Sequence, residues 1–369
     1  MMAAQSLRSS EPGIVRRARE DSLARSHRPL YKNLDGVRAI AALMVLVSHS
    51  QWGPPAFGGS GVWLFFVLSG FLLFPTLPQQ ADALFPRRLA GFLVKRITRL
   101  IPLYYVALLI YSAKWHLPPR WLLQHLLFLD AQTFFWTVKI EVIFYLVLPV
   151  IGLVSCLIRS TLPKFLVLVA ITLAYHFLVQ IPALITVRAA VTYVPLWLSP
   201  FMMGICASVI APYLSKPVGY VCLIAGLVAL AVLNFDLPSF IHIRNLVLGV
   251  QHGPSGPFVF VGVTALMATL FVTGAAVIPP NVVFCNRIIR TAGVCGYSFY
   301  LWQILVMQLL TGAVDIPSKA LLFLLVAVLT YFVSIVSFAL IELPAMNYGH
   351  AVARRLLEGR TAAPVREPA

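Results

Sequence analysis

Two ionisable residues stand on one apolar stretch near the start of the chain. Residues 33–50 read Asn33-Leu34-Asp35-Gly36-Val37-Arg38, and Arg38 is followed eleven residues later by His49. On an α-helix eleven residues make about three turns, so both side chains project from one face, roughly 16 Å apart along the axis. Asp35 lies one turn before Arg38 and is placed to pair with it. An imidazole is the side chain best suited to accept a hydroxyl proton near neutral pH, which makes His49 a candidate general base. The plain alternative is a structural imidazole hydrogen-bonded to neighbouring helices.

A second group is basic. Arg87, Arg88, Lys95, Arg96 and Arg99 fall within thirteen residues, just before Leu100-Ile101-Pro102. Arg96 and Arg99 share a helical face, as do Lys95 and Arg99. Guanidinium forks bind phosphates bidentately, so such a cluster suits a polyanion such as the pyrophosphate and ribose phosphate of coenzyme A. Membrane topology alone is the competing explanation for a few of these charges.

Other polar residues interrupt apolar runs: Ser69, Lys139, Glu141, Gln303 and Glu342. A charge inside a bilayer is costly, so each needs a partner, water or a role. Lys139 and Glu141 are two apart and do not face each other on a helix. Glu141 is therefore expected to meet an arginine, orient His49, or form a structural ion pair. Ser69 follows a glycine-rich stretch and is a candidate cavity residue. Gln303 faces an acceptor or another helix. Glu342 sits at the inner end of the last span, where a salt bridge is expected. His116, His125, His242 and His252 fall in outer loops and read as solvated. His176 has no second ionisable residue beside it.

These residues need elements to hold them. Of 369 residues, 60% are hydrophobic and 11% charged, against about a quarter charged in soluble domains. The pattern predicts an all-α, polytopic transmembrane bundle of about ten spanning helices. The spans are expected near 36–52, 60–78, 97–114, 134–158, 163–181, 191–212, 217–234, 257–279, 294–312 and 319–341. The stretch 115–131 is too short and polar to span and reads as interfacial or re-entrant. Residues 1–33 form a basic tail, 34–345 the transmembrane domain and 346–369 a second tail.

Charge supports this map. The net charge is +16. With the N-terminus inside, only Lys114, Arg120, Lys139, Arg188, Arg244 and Lys319 of the 28 Lys and Arg fall outside. That asymmetry is what the positive-inside rule requires, and it puts both termini in the cytoplasm. Nucleic acid is a poor partner, because no binding motif accompanies the charge. The five cysteines are scattered without metal-ligand spacing and read as structural; no metal is expected. No HExxH, GxSxG or phosphate loop is present.

The residues carry a resemblance. Asp35-Gly36-Val37-Arg38-Ala39-Ile40-Ala41-Ala42, ending in His49, resembles the first helix of the acyltransferase 3 family of bacterial membrane O-acyltransferases. Gly61 to Phe71 (GVWLFFVLSGF), Lys95-Arg96-Ile97-Thr98-Arg99-Leu100-Ile101-Pro102, and Trp136 with Glu141, Phe144, Tyr145 and Pro149 are similar to further family segments. The resemblance implies ten helices and transfer of an acyl group, often acetyl, from acyl-CoA to a hydroxyl, usually on a sugar or a glycosylated small molecule. It implies that Arg38, His49, Arg96 and Arg99 matter for activity; with the residue reading above, His49, Arg38 and Glu141 are the catalytic candidates and Arg38, Lys95, Arg96 and Arg99 the donor-binding ones. Acceptor contacts are expected from Ser69, Trp136, Lys139 and Gln303. Two positions depart from the family: Gln303 stands where histidine is frequent, and Lys139 where a small polar residue is usual. The implied setting is the inner membrane of a bacterium. A transporter or flippase of a lipid-linked sugar is the rival reading; such proteins often show repeated halves, and none is found.

Overall fold

The computed structural model describes residues 31–78, 82–180, 197–235, 237, 239–241 and 261–358. Every regular element among them is helical. In chain order these are α1 (Asn33–His49), α2 (Ala56–Leu73), α3 (Phe85–Lys114), α4 (Pro119–Leu126), α5 (Trp136–Cys156), α6 (Thr161–Tyr175) and α7 (Ser199–Ile210). They continue with α8 (Lys216–Asn234), α9 (Val261–Val277), α10 (Val282–Cys285), α11 (Arg287–Val294), α12 (Gly296–Ala313), α13 (Lys319–Ser337) and α14 (Leu343–Glu358).

Five helical stretches among the described residues are long and apolar enough to cross a bilayer: Ala56–Thr76, Thr133–Cys156, Thr161–Val179, Lys216–Asn234 and Lys319–Glu358. A sixth is counted if α11 and α12, bent by 84° at Cys295, form one broken span. Large apolar side chains such as Val221, Leu324 and Phe332 are exposed. No aqueous surface carries so many, and lipid must solvate them. The molecule is therefore a multi-pass membrane protein.

Small residues set the packing. A methyl on Gly70 would collide with the Phe201 carbonyl, and one on Gly204 with the Val67 carbonyl. The two glycines let the backbones of α2 and α7 touch, the arrangement favoured where helix association lacks a hydrophobic driving force. Asn33 ties the start of α1 to the end of α9, donating to the carbonyls of Ala275 (2.9 Å) and Ile278 (3.2 Å). Those carbonyls lie at a helix C-terminus, where the last turn leaves its acceptors unpaired. Asn286 caps α11 by accepting from the Ile289 N–H.

Three boundaries differ from the sequence expectation. α3 begins at Phe85, about a dozen residues ahead of the expected span. The reason is α14, which packs along this basic segment; Gly91 faces Ala353, and Gly349 faces Thr98. The expected tail from 346 is thus helical and packed as far as Glu358. The expected 294–312 span is preceded by α11 and the sharp bend, because Gly293 lies flush against the Asp35 carbonyl of α1. The expected 191–212 span lies partly outside the described residues. So do residues 1–30, Arg188, Arg244, His242 and His252.

The 115–131 stretch forms the short helix α4, and its His125 is fully buried, not solvated. Its Nδ1 lies 2.8 Å from the Trp121 carbonyl, and its Nε2 accepts from the Gln132 N–H at 2.9 Å. Only a neutral ring protonated at Nδ1 meets both partners. Burial is the chief cause that lowers its pKa, since the charged form loses hydration.

Candidate active site

The bend between α11 and α12, the start of α1, and the middles of α2, α3 and α5 enclose a cavity of about 130 Å³. On α2 the lining positions run from Leu73 to Val62. At 1.5 Å per residue the cavity extends roughly 16 Å along that helix. α5 contributes Tyr145 and Glu141 toward one end, Val138 and Thr137 toward the other.

Three guanidinium groups meet at the first end: Arg38, Arg96 and Arg99. Each is held differently. Arg38 Nη1 sits 3.5 Å from Asp35 Oδ1, as the sequence spacing suggested. Asp35 also faces Arg290 Nε at 3.9 Å, so one carboxylate stands behind two arginines. Arg99 Nη1 pairs with Glu342 Oε2 at 2.5 Å, and its Nη2 donates to the Val294 carbonyl at 3.3 Å. Ser298 donates to the same Glu342 carboxylate. Arg96 lies 5.6 Å from the Phe92 ring centroid, and its buried Nε donates to no described residue.

Glu141 occupies the middle of the cavity wall. Tyr145 Oη donates to it at 2.5 Å, and Ser69 Oγ at 3.4 Å. Arg96 and Arg99 both act on it electrostatically. The wall itself thus holds three cations and one carboxylate, an arrangement that attracts an anion with several charges.

Of the residues singled out from the sequence, the structure brings Arg38, Ser69, Arg96, Arg99 and Glu141 together at this cavity. Other candidates stand elsewhere. None of the described lining residues is His49; it is the last residue of α1, and its Nδ1 is buried with no hydrogen-bond partner among the described residues. Lys95 does not line the cavity. Trp136 packs in an aromatic cluster, 6.2 Å from the Trp63 centroid and 5.8 Å from that of Trp197. Lys139 turns away, donating to the Leu129 carbonyl at 3.0 Å. Gln303 is fully buried and donates to the Tyr300 carbonyl at 3.3 Å. It does not line this cavity, and its buried Oε1 has no hydrogen-bond partner among the described residues. Tyr145, Arg290 and Tyr300 were not singled out by the sequence. Tyr145 had two signals, its position one turn after Glu141 and its place in the Trp136 to Pro149 segment; Arg290 had only its charge.

A family model described as an acyltransferase domain matches residues 31–339. The chain belongs to the acyltransferase 3 family. The chain is 36% identical over 95 residues to the peptidoglycan O-acetyltransferase OatA of Listeria monocytogenes. That match covers 25% of the present chain and 15% of the relative. It is 38% identical over 79 residues to Staphylococcus aureus proteins provisionally named O-acetyltransferases, covering 21% of the chain and 13% of each relative. The chain thus spans well under a fifth of the length of the curated relatives it matches. No solved structure matches it.

Among the described residues no cluster of His, Cys, Asp and Glu suits a metal ion. Two of the five cysteines are half-buried and three buried, and none is paired in a disulfide.

Proposed function

We propose that this acyltransferase moves an acyl group, acetyl in the simplest case, from acyl-CoA to a hydroxyl of a carbohydrate or glycosylated acceptor. One observation carries the reading: three arginines from two helices converge on a single cavity. Arg96 brings a buried N–H with no partner among the described residues. Guanidinium groups are the side chains best matched to the phosphates of coenzyme A. The phosphates would dock against Arg38, Arg96 and Arg99, with the pantetheine arm running along α2 toward Val62. Lys95 would add long-range attraction from outside the cavity wall.

His49 would serve the acceptor. Gly58 packs beside Ser48, and Gly61 beside Ala41 and Val45, so the levels of α1 and α2 can be matched. On that register Val62 lies one and a half to two turns, roughly 8–10 Å, short of the level of His49, and the acceptor would bridge that gap. The acceptor hydroxyl would lose its proton to His49 as its oxygen bonds to the acyl carbon. The C–S bond then breaks, and coenzyme A leaves as the thiolate, which takes up a proton. Attack by His49 itself, with an acyl-imidazole intermediate, is the variant form.

The name of the Listeria relative includes peptidoglycan, a sugar polymer, which favours a carbohydrate acceptor. The family and the apolar helices favour ten spans in a bacterial inner membrane, with both termini in the cytoplasm. The test is transfer of label from radiolabelled acetyl-CoA by the purified protein in lipid nanodiscs, offered peptidoglycan fragments, polysaccharides and glycosylated small molecules. Label on an acceptor, lost in His49→Ala, is the expected result. A protein that binds such molecules but never modifies them would be a carrier, and the proposal would fall.

A further inference from the structure

The two ends of the cavity are unlike. At the arginine end the Arg38 side chain is 37% exposed and that of Arg99 25%. At the other end Val62 is 5% exposed, Val138 2% and Phe66 3%. The cavity opens where it is charged and closes where it is apolar.

The closed end is also stiff. Phe66 stacks on Phe201 with centroids 4.3 Å apart and meets Trp136 edge-on at 6.0 Å. Tyr300 donates to the Phe134 carbonyl at 2.9 Å, and Thr137 to the same carbonyl at 3.2 Å. Phe65 meets Tyr300 edge-on at 6.2 Å. None of these side chains yields without losing a contact, and packed interiors deform little.

We propose that the closed apolar end, walled by Val62, Phe66, Val138 and Tyr300, is the acyl pocket and restricts the donor to short acyl chains. This rests on the reading of the arginine end as the coenzyme A site. The cavity runs roughly 16 Å along α2 from Leu73 to Val62, so an acyl arm that enters past the arginines ends at the closed wall. Phosphates held by the arginines therefore deliver the thioester to the closed end. A two-carbon acyl group enters it. Each further methylene has to displace Val62 or Val138, and a pocket of fixed size discriminates one methylene by about ten- to two-hundred-fold.

The test is equilibrium binding of CoA, acetyl-CoA and butyryl-CoA to the full-length protein in nanodiscs, each acyl-CoA affinity being divided by that of CoA. For the wild type we expect butyryl-CoA to bind at least tenfold more weakly than acetyl-CoA. Val62→Ala and Val138→Ala, each removing two methyl groups from the wall, raise the butyryl-to-CoA ratio about tenfold. Val62→Leu lowers the acetyl-to-CoA ratio. CoA binding by each variant reports that it is folded. If wild-type protein binds no CoA, the donor-site reading fails and this inference falls with it. If CoA binds and the ratios stay flat across all three variants, the acyl-pocket assignment alone is wrong.

Discussion

Glu342 and Arg99 form an ion pair around a fully buried carboxylate, and its removal has a calculable effect. The Glu342 side chain is 0% exposed and that of Arg99 25%, with 2.5 Å between Oε2 and Nη1. Glu342→Ala leaves Arg99 with the Val294 carbonyl, the Met346 sulfur and the Phe338 ring. It also leaves Ser298 with only the longer 3.4 Å contact to Ser337 Oγ. Breaking a buried pair by removing one partner costs about 3–5 kcal/mol. Arg99 keeps partial access to solvent, so we expect a loss near the lower figure, about 3 kcal/mol. The double variant Glu342→Leu with Arg99→Met removes both charges and should recover most of that loss, because an apolar pair of similar volume is often no worse than a buried salt bridge. The assay is the thermal midpoint of the detergent-solubilised protein, followed by size-exclusion fluorescence. The expected order is wild type, double variant, then Glu342→Ala well below both. Equal midpoints for wild type and Glu342→Ala would refute the claim that this pair locks α3 against the π-helical turn at Phe338–Glu342.

Arg96→Ala should weaken coenzyme A binding by roughly ten- to a hundredfold, the value of a charge-assisted hydrogen bond, measured by titration of CoA. Arg96→Lys should restore only part of it, since an ammonium lacks the planar fork. Gly204→Leu should abolish a folded, monodisperse preparation, because the side chain would enter the Val67 carbonyl; a normal elution profile would contradict the close approach of α2 and α7. His125 is buried neutral, with its folded pKa below the ordinary 6.5. The unfolded chain takes up a proton as pH falls through 6.5 and the folded one does not. Stability is therefore complete above about pH 6.5 and declines below it. The thermal midpoint should drop from pH 7.5 to 5.5 in the wild type and drop less in His125→Phe; parallel curves would contradict this.

Much of the site was legible because a membrane makes polar residues conspicuous. Arg38, Ser69, Arg96, Arg99 and Glu141 stand out in apolar surroundings, and the helical repeat alone puts Arg96 and Arg99 on one face. Their convergence depended on contacts between distant segments, which periodicity does not encode. Arg290 meets Asp35 only because α11 lies across the start of α1, and the bend at Cys295 has no strong signature in the sequence. Glu342 was expected in a salt bridge, but its partner on α3 follows from the packing of α14, itself expected to be a tail. His125 misled for a different reason. Its burial comes from the chain reversing at Phe128 and Thr133, both with φ above +50°, conformations that no propensity of those residues foretells. Lys139 and Gln303 sat in the right helices, yet their side chains satisfy local carbonyls, which is the cheaper solution for a polar group in an apolar bundle.

The central claim is that the arginine-mouthed cavity receives the acyl donor. Its most direct test is a cryo-electron microscopy structure with a ketone analogue of acetyl-CoA, in which a methylene replaces the sulfur. We predict phosphate density against Arg38, Arg96 and Arg99, and the acetyl carbons at the level of Val62 and Val138. Well-ordered analogue bound anywhere else, with this cavity holding only water, would contradict the account.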